Sequence, residues 1–167
     1  VWLGWRDVYR IIRLYVVAEQ YGTLETLYPN RVELGLGRAP GTDMQTAAAL
    51  RRGRNSLDFP AEIAELRGYF KDCNPVSAYP SAGLNIPFYI LGSSTESAYL
   101  AAELGLPYAF ASHFAPRMME MAVEIYRKNF KPSTYLAEPY VILGVNAIVA
   151  ETDKEARQLA TTQTLFS

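Results

Sequence analysis

Hydrophobic positions along the chain recur with two different periods. From Val17 to Tyr28 they fall three or four residues apart, which predicts a helix that ends at Pro29-Asn30. Between Arg31 and Gly37 apolar residues alternate with glutamate and glycine, the period of a short strand. The chain therefore opens its regular part with a helix followed by a strand.

The same two patterns repeat towards the C-terminus. Three compact apolar runs predict buried strands: Phe88–Leu91, Tyr108–Ala111 and Tyr140–Ala150. Five further helices are predicted. Two lie before these strands: an alanine-rich helix from Asp43 to about Arg52, and one from Asp58 whose inner face is Ile63, Leu66 and Phe70. The others are Thr95–Leu104, which Gly105 ends, Pro116–Phe130, and a last helix that begins with a Thr152/Glu155 capping box. Residues 72–87 form a predicted loop rich in Pro, Gly, Ser and Asn.

Four strands thus alternate with helices, and no hairpin signal lies between them. This order predicts an α/β fold with right-handed crossovers and a parallel sheet. Periodicity does not choose between an open, doubly wound sheet and part of a barrel.

Composition excludes several classes of protein. A net charge of -1 leaves no electrostatic footprint for nucleic acid or an acidic membrane, and the basic run Arg51, Arg52 and Arg54 is typical of a solvated helix face. The single cysteine, Cys73, allows no disulfide within the chain, which favours a reducing cytoplasm. No apolar stretch reaches the ~18 residues of a membrane span, and the N-terminus lacks the layout of a signal peptide.

Ligands of parallel α/β folds bind at the carboxyl ends of the strands, where a serine-rich turn stands out. Ser93 and Ser94 precede a predicted helix, whose exposed N–H groups and dipole favour an anion such as phosphate. The spacing of Ser93 and Glu96 equally fits a capping box that binds nothing. Both interpretations stay open from the pattern alone.

Two further candidates lie at strand ends. Arg38 follows two strand glycines and has the guanidinium geometry for a phosphate, although a surface ion pair with Asp43 or Glu33 is an equal alternative. His113, the only histidine, is either an acid, base or ligand contact, or a hydrogen-bonded packing residue. A metal site is not expected, because no second histidine or cysteine accompanies it. The nucleophile turn of an α/β hydrolase is also missing.

Four long segments resemble luciferase-like flavin-dependent monooxygenases of bacteria. In chain order they are Val17–Leu24, Leu34–Gly41, Leu91–Ser94 and Leu106–Pro116, and the similarity runs from Val16 to about Ala160. The resemblance implies a (β/α)₈ TIM-type barrel, of which this chain supplies strands four to seven with their helices.

The resemblance also implies a cofactor and its site. The family uses FMN that a separate flavin reductase reduces, and O₂ then oxygenates a small organic substrate. Arg38 matches the arginine at the flavin phosphate, and Ser94 and Ser97 match hydroxyl contacts, with help from the backbone of the turn at Ser93. Ser112 and His113 fall beside the flavin ring, with His113 as the candidate catalytic group.

About half of such a barrel is not represented. Residues 1–15 do not match the family, so residues 16–167 are predicted as a partial barrel domain; a fragment, a shifted reading frame or an incompletely built chain would each explain the difference. Open strand edges favour pairing with another chain, hence a homo-oligomer. Two functions remain: an FMN-dependent monooxygenase, or a non-catalytic flavin or phosphate binder that self-associates.

Overall fold

A computed structural model describes residues 14–38, 59–113 and 115–164 of the chain. Its helices are α1 (Leu14–Leu27), α2 (Phe59–Phe70), α3 (Thr95–Leu104), α4 (Met119–Asn129) and α5 (Asp153–Thr164). Its strands are β1 (Leu34–Leu36), β2 (Phe88–Gly92), β3 (Tyr108–Phe110) and β4 (Val141–Leu143). The predicted alanine-rich helix, with Asp43 and the arginines at 51, 52 and 54, lies outside the described residues.

The four strands form one parallel sheet in the order β1-β2-β3-β4. Leu36 of β1 pairs with Ile90 of β2, and Ile90 pairs in turn with Tyr108 of β3. Tyr108 pairs with Val141 of β4. The parallel sheet predicted from the alternation of strands and helices is confirmed, and neighbouring strands are consecutive in the chain.

The helices α2, α3 and α4 pack on one face of this sheet. The rings of Phe70 in α2 and Phe88 in β2 lie 5.7 Å apart, and those of Tyr126 in α4 and Tyr108 in β3 lie 5.4 Å apart. The hydroxyl of Ser97 in α3 lies 2.9 Å from the hydroxyl of the same Tyr108. A doubly wound sheet carries helices on both faces, whereas a barrel segment carries them on its outer face only. The packing of these three helices on one face favours part of a (β/α)₈ barrel over an open, doubly wound sheet.

The core lies between the sheet and this helix layer. The inner face predicted for α2 is confirmed, since Ile63, Leu66 and Phe70 are all buried. Helix α1 packs against α2. It also contacts the loop that follows α2, and the contact is close, since a Cβ at Gly22 would lie 2.6 Å from backbone atoms of Ser81. Fully buried side chains hold the layers together: Leu34, Leu36, Ile90, Leu106, Tyr108, Phe110 and Tyr126.

Two predicted buried strands are less covered than their apolar sequences suggested. The run from Tyr140 to Ala150 is strand only at Val141–Leu143, and Val145 and Val149 are exposed. Among the described strands β4 pairs only with β3, so these residues lack a second neighbour. In β2 only alternate residues face the helices, so Tyr89 is half-buried, not covered on both sides.

Helix ends follow the sequence signals with one shift. Gly105 ends α3 in the left-handed conformation at φ 59°, and the backbone N–H of Glu155 donates to Thr152 Oγ1 at 3.2 Å as its capping-box spacing predicts. The helix expected from Pro116 opens with a 3₁₀ turn, and regular α4 begins at Met119. In the part of the chain that the structure describes, no helix has the length and apolar character to cross a bilayer.

Candidate functional site

Arg38 and the serine turn meet at the carboxyl edge of neighbouring strands. Arg38 is exposed two residues beyond the end of β1, and Ser93 and Ser94 directly follow β2. The strands approach closely here, since a Cβ at Gly37 would lie 3.1 Å from the carbonyl oxygen of Leu91. The structure thus brings the two predicted phosphate contacts to the same edge of the sheet.

Ser94, and not Ser93, caps helix α3. Its backbone is extended at φ -135° and ψ 163°, and its Oγ accepts a hydrogen bond from the backbone N–H of Ser97 at 3.4 Å. The predicted Ser93/Glu96 capping box is wrong, because β2 continues to Gly92 and places the cap one residue later. Ser93 is left exposed at the turn.

The hydroxyl of Ser97 is used inside the protein. It donates to the carbonyl of Ser94 at 2.7 Å and lies 2.9 Å from the hydroxyl of Tyr108, which also donates to that carbonyl at 3.0 Å. A hydroxyl has one proton, so Ser97 has none left for a phosphate oxygen. Only glycine fits at position 92 next to this side chain, since a Cβ at Gly92 would lie 2.4 Å from the Cβ of Ser97. Ser97 therefore supports the shape of the turn.

Glu96 lies in the first turn of α3, next to Ser94. The Ser94 hydroxyl, followed by the backbone N–H of Glu96 itself, lowers the pKa of Glu96 below its ordinary value of 4.5; burial opposes this shift, and the charge of Arg38 makes the smallest contribution. Each of these groups favours a negative charge at the start of a helix. The start of α3 therefore favours a negative charge, chiefly through the turn itself and only weakly through Arg38.

Replacing Ser94 with Ala should raise the pKa of Glu96 towards 4.5. Because the charged form is stabilised in the folded state, its contribution is present above the ordinary pKa and is lost as pH falls through the lower folded-state pKa. An NMR titration of the Glu96 carboxyl carbon measures the change. Ser93→Ala is the matched control and should leave the pKa unchanged, while an unchanged pKa in Ser94→Ala would show that the hydroxyl is not the main cause.

A second turn lies at the carboxyl ends of β3 and β4. The buried hydroxyl of Ser112 donates to the carbonyl of Gly144 at 2.6 Å, and the backbone N–H of His113 donates to the same oxygen at 3.1 Å. The His113 side chain is exposed beside Gly144, where a Cβ would lie 2.8 Å from its Nδ1. His113 is therefore exposed at a strand end. It does not pack in the core, as the interpretation of a packing residue would require.

Comparisons with known proteins identify the family. The sequence model described as luciferase-like monooxygenase matches residues 13–166. The chain belongs to the luciferase-like monooxygenase family. It is 53% identical over 151 residues to a luciferase-like monooxygenase of Escherichia coli K12, covering 87% of this chain and 45% of that protein. It is 56% identical to the protein YvbT of Bacillus subtilis, again covering 87% of this chain and 45% of the relative.

A solved structure gives the same relation. The crystal structure of apo-MsnO8 superposes with a TM-score of 0.83 at 36% identity, covering 94% of this chain and 47% of that one. The chain spans about half the length of the curated relatives it matches. The family resemblance and the partial barrel predicted from the sequence are confirmed.

Several residues of this luciferase-like site were not predicted from the sequence. Tyr108 supports the turn at Ser94, and Gly144 accepts the hydrogen bonds of Ser112 and His113. A glycine inside the predicted strand was a signal for close backbone approach at Gly144. Tyr108 gave no such signal, because the apolar pattern counts it as one of the hydrophobic residues of a buried strand and does not consider its hydroxyl.

The suggested ion pairs of Arg38 have different outcomes. Glu33 accepts a hydrogen bond from the hydroxyl of Tyr89 at 3.1 Å, and burial followed by this bond raises the pKa of Tyr89 to about 12. Asp43 lies outside the described residues.

No three His, Cys, Asp or Glu side chains of the described segments group as metal ligands.

Proposed function

We propose that this luciferase-like chain binds the phosphate of FMN between Arg38 and the N-terminus of α3, as part of a flavin-dependent monooxygenase. The observation that supports the proposal most is that Arg38 and the donors at the start of α3 lie at one edge of the sheet, just beyond the neighbouring strands β1 and β2, where the same start of the helix lowers the pKa of Glu96. A phosphate placed there would use the same donors. Family membership supports the flavin and the reaction class.

The residues present fit such a group. Arg38 and Ser93 are exposed at the turn, Ser94 presents its hydroxyl, and the first N–H groups of a helix lack partners within the helix. Ser97 and Ser112 have donated their protons to backbone carbonyls. We therefore assign Ser97 and Ser112 to shaping the two turns and not to donating hydrogen bonds to the flavin.

The remaining predicted groups lie along the same edge. The backbone N–H of Ala111 donates to the carbonyl of Gly92 at 2.9 Å, and this hydrogen bond joins the turn at Ser93 and Ser94 to the turn of Ser112 and His113. Adjacent strands are about 4.8 Å apart, which supports one ligand that extends from Ser94 to His113. Reduced FMN would supply the electrons for oxygenation by O₂, while His113 holds or moves a proton beside it.

The same proposal extends to partners. FMN would be reduced by a separate flavin reductase in the cytoplasm, and the substrate would be a small organic molecule. The proposal also includes a homo-oligomer. Residues 16–167 would act as one partial barrel domain.

Titration with FMN and with riboflavin, which lacks the phosphate, tests the binding proposal. We expect FMN to bind tenfold or more tightly, because one charge-assisted hydrogen bond contributes about 1.5–3 kcal/mol. Equal affinities would contradict a phosphate site. Both ligands carry the same ring, so the comparison isolates the phosphate.

Oxygen uptake with reduced FMN and an organic acceptor tests the reaction. We expect an oxygenated product from a monooxygenase. Tight FMN binding without such a product would favour the alternative, a non-catalytic flavin binder on the same scaffold.

A further inference from the structure

A tyrosine between two cations lies far from the proposed flavin site. Tyr135 belongs to the loop between α4 and β4, and its ring centroid is 4.2 Å from Arg67 Cζ and 5.3 Å from Lys71 Nζ. Arg67 is in the last turn of α2, and Lys71, four residues after Arg67, directly follows the end of the helix at Phe70, so the two side chains share one face. Loops that lead into strands lie at the amino edge of the sheet, opposite the turn at Ser94.

The loop that carries Tyr135 is held in place by Ser133. Its Oγ accepts hydrogen bonds from the backbone N–H groups of Tyr135 at 3.0 Å and Leu136 at 3.3 Å, and it donates to the carbonyl of Gly105 at 2.8 Å. The phenol is therefore positioned against α2 by fixed backbone contacts. It remains 39% exposed, so a reagent can reach it.

The two cations change the acidity of this phenol. Partial burial raises the pKa of Tyr135, but Lys71 and Arg67 outweigh burial and lower this pKa below its ordinary value of 10.0. Burial raises the pKa of the other described tyrosines with a clear shift: Tyr15, Tyr21, Tyr69, Tyr89, Tyr108 and Tyr126.

We propose that Tyr135 is a modification site, at which the phenolic oxygen, activated by Arg67 and Lys71, accepts a group from a sulfonyl-type electrophile. The phenolate attacks the sulfur of a sulfonyl fluoride, an S–O bond forms and the S–F bond breaks. Fluoride leaves with the electron pair, and the phenol proton goes to the buffer. An activated oxygen nucleophile of this kind needs nearby positive charge, which both side chains supply.

Labelling of the folded chain with an aryl sulfonyl fluoride near neutral pH, followed by peptide mapping, tests the proposal. Each unit by which a pKa falls gives tenfold more anion and, by analogy with thiols, costs only about threefold in nucleophilicity. We therefore expect Tyr135 to react several-fold faster than Tyr79 and Tyr99, although these are 69% and 53% exposed. Exposure alone would give the reverse order.

Two variants separate activation from accessibility. Lys71→Gln, at an exposed position, and Arg67→Gln should each slow the labelling of Tyr135 towards the rate of Tyr79. Arg31→Gln is the matched control, because Arg31 lies 5.8 Å from the ring of a different tyrosine, Tyr28. Labelling of Tyr135 no faster than Tyr79, unchanged labelling in both variants, or labelling of Lys71 in its place would overturn the proposal.

Discussion

Replacing Phe110 with Ala is expected to lower the free energy of unfolding by about 3–5 kcal/mol, the range for truncating a buried phenylalanine. Its side chain is 1% exposed, and its ring lies 6.0 Å from that of Tyr108. The loss is large against the ~5–15 kcal/mol that stabilises a typical domain. Phe110 also carries the carbonyl that accepts from the N–H groups of Ser112 and Gly144. The second turn of the site should therefore loosen with the core.

Urea unfolding followed by circular dichroism measures this change. The matched control is Tyr99→Ala, which removes an aromatic ring that is 53% exposed on α3. We expect the control to stay within about 0.5 kcal/mol of the parent chain. Equal losses in the two variants would mean that β3 is not the centre of the core.

Replacing Arg38 with Ala should weaken FMN binding by about 1.5–3 kcal/mol, or roughly 10- to 150-fold, the contribution of a hydrogen bond to a charged group. The side chain is exposed, so its removal should leave the fold intact. Riboflavin binding should not change, because riboflavin has no phosphate for the guanidinium to bind.

Arg31→Ala provides the control for general loss of positive charge. Arg31 is also exposed, but it precedes β1 and so lies near the opposite edge of the sheet. We expect its FMN affinity to equal that of the parent chain in a fluorescence titration. If both variants bind FMN equally well, Arg38 has no part in phosphate binding.

Much of the fold was predictable because its signals are local. The end of α3 at Gly105 and the apolar face of α2 depend on residues within one or two helical turns, and both were predicted correctly. Burial was harder, because it depends on elements distant in the chain. The apolar run from Tyr140 to Ala150 shows this, since its pattern contains no information about whether a further strand lies beside it.

The site was predictable in its location but not in its bonding. Both turns follow parallel strands, so their common edge follows from topology alone, and Arg38 and Ser94 lie there as expected. Which serine caps α3 depends on where β2 ends, a difference of one residue. The further hydroxyl in this turn comes from Tyr108, eleven positions along the chain from Ser97.

The Glu96 carboxylate has a consequence for ligand choice. Since Glu96 belongs to the same start of α3 as the donors of the turn, an ion from solution would compete with its carboxylate for them. A singly charged acetate or chloride gains little from the exchange, whereas a doubly charged phosphate monoester gains a further charge interaction. The turn would then discriminate between anions by valence, and salts of monovalent ions would interfere with it only weakly.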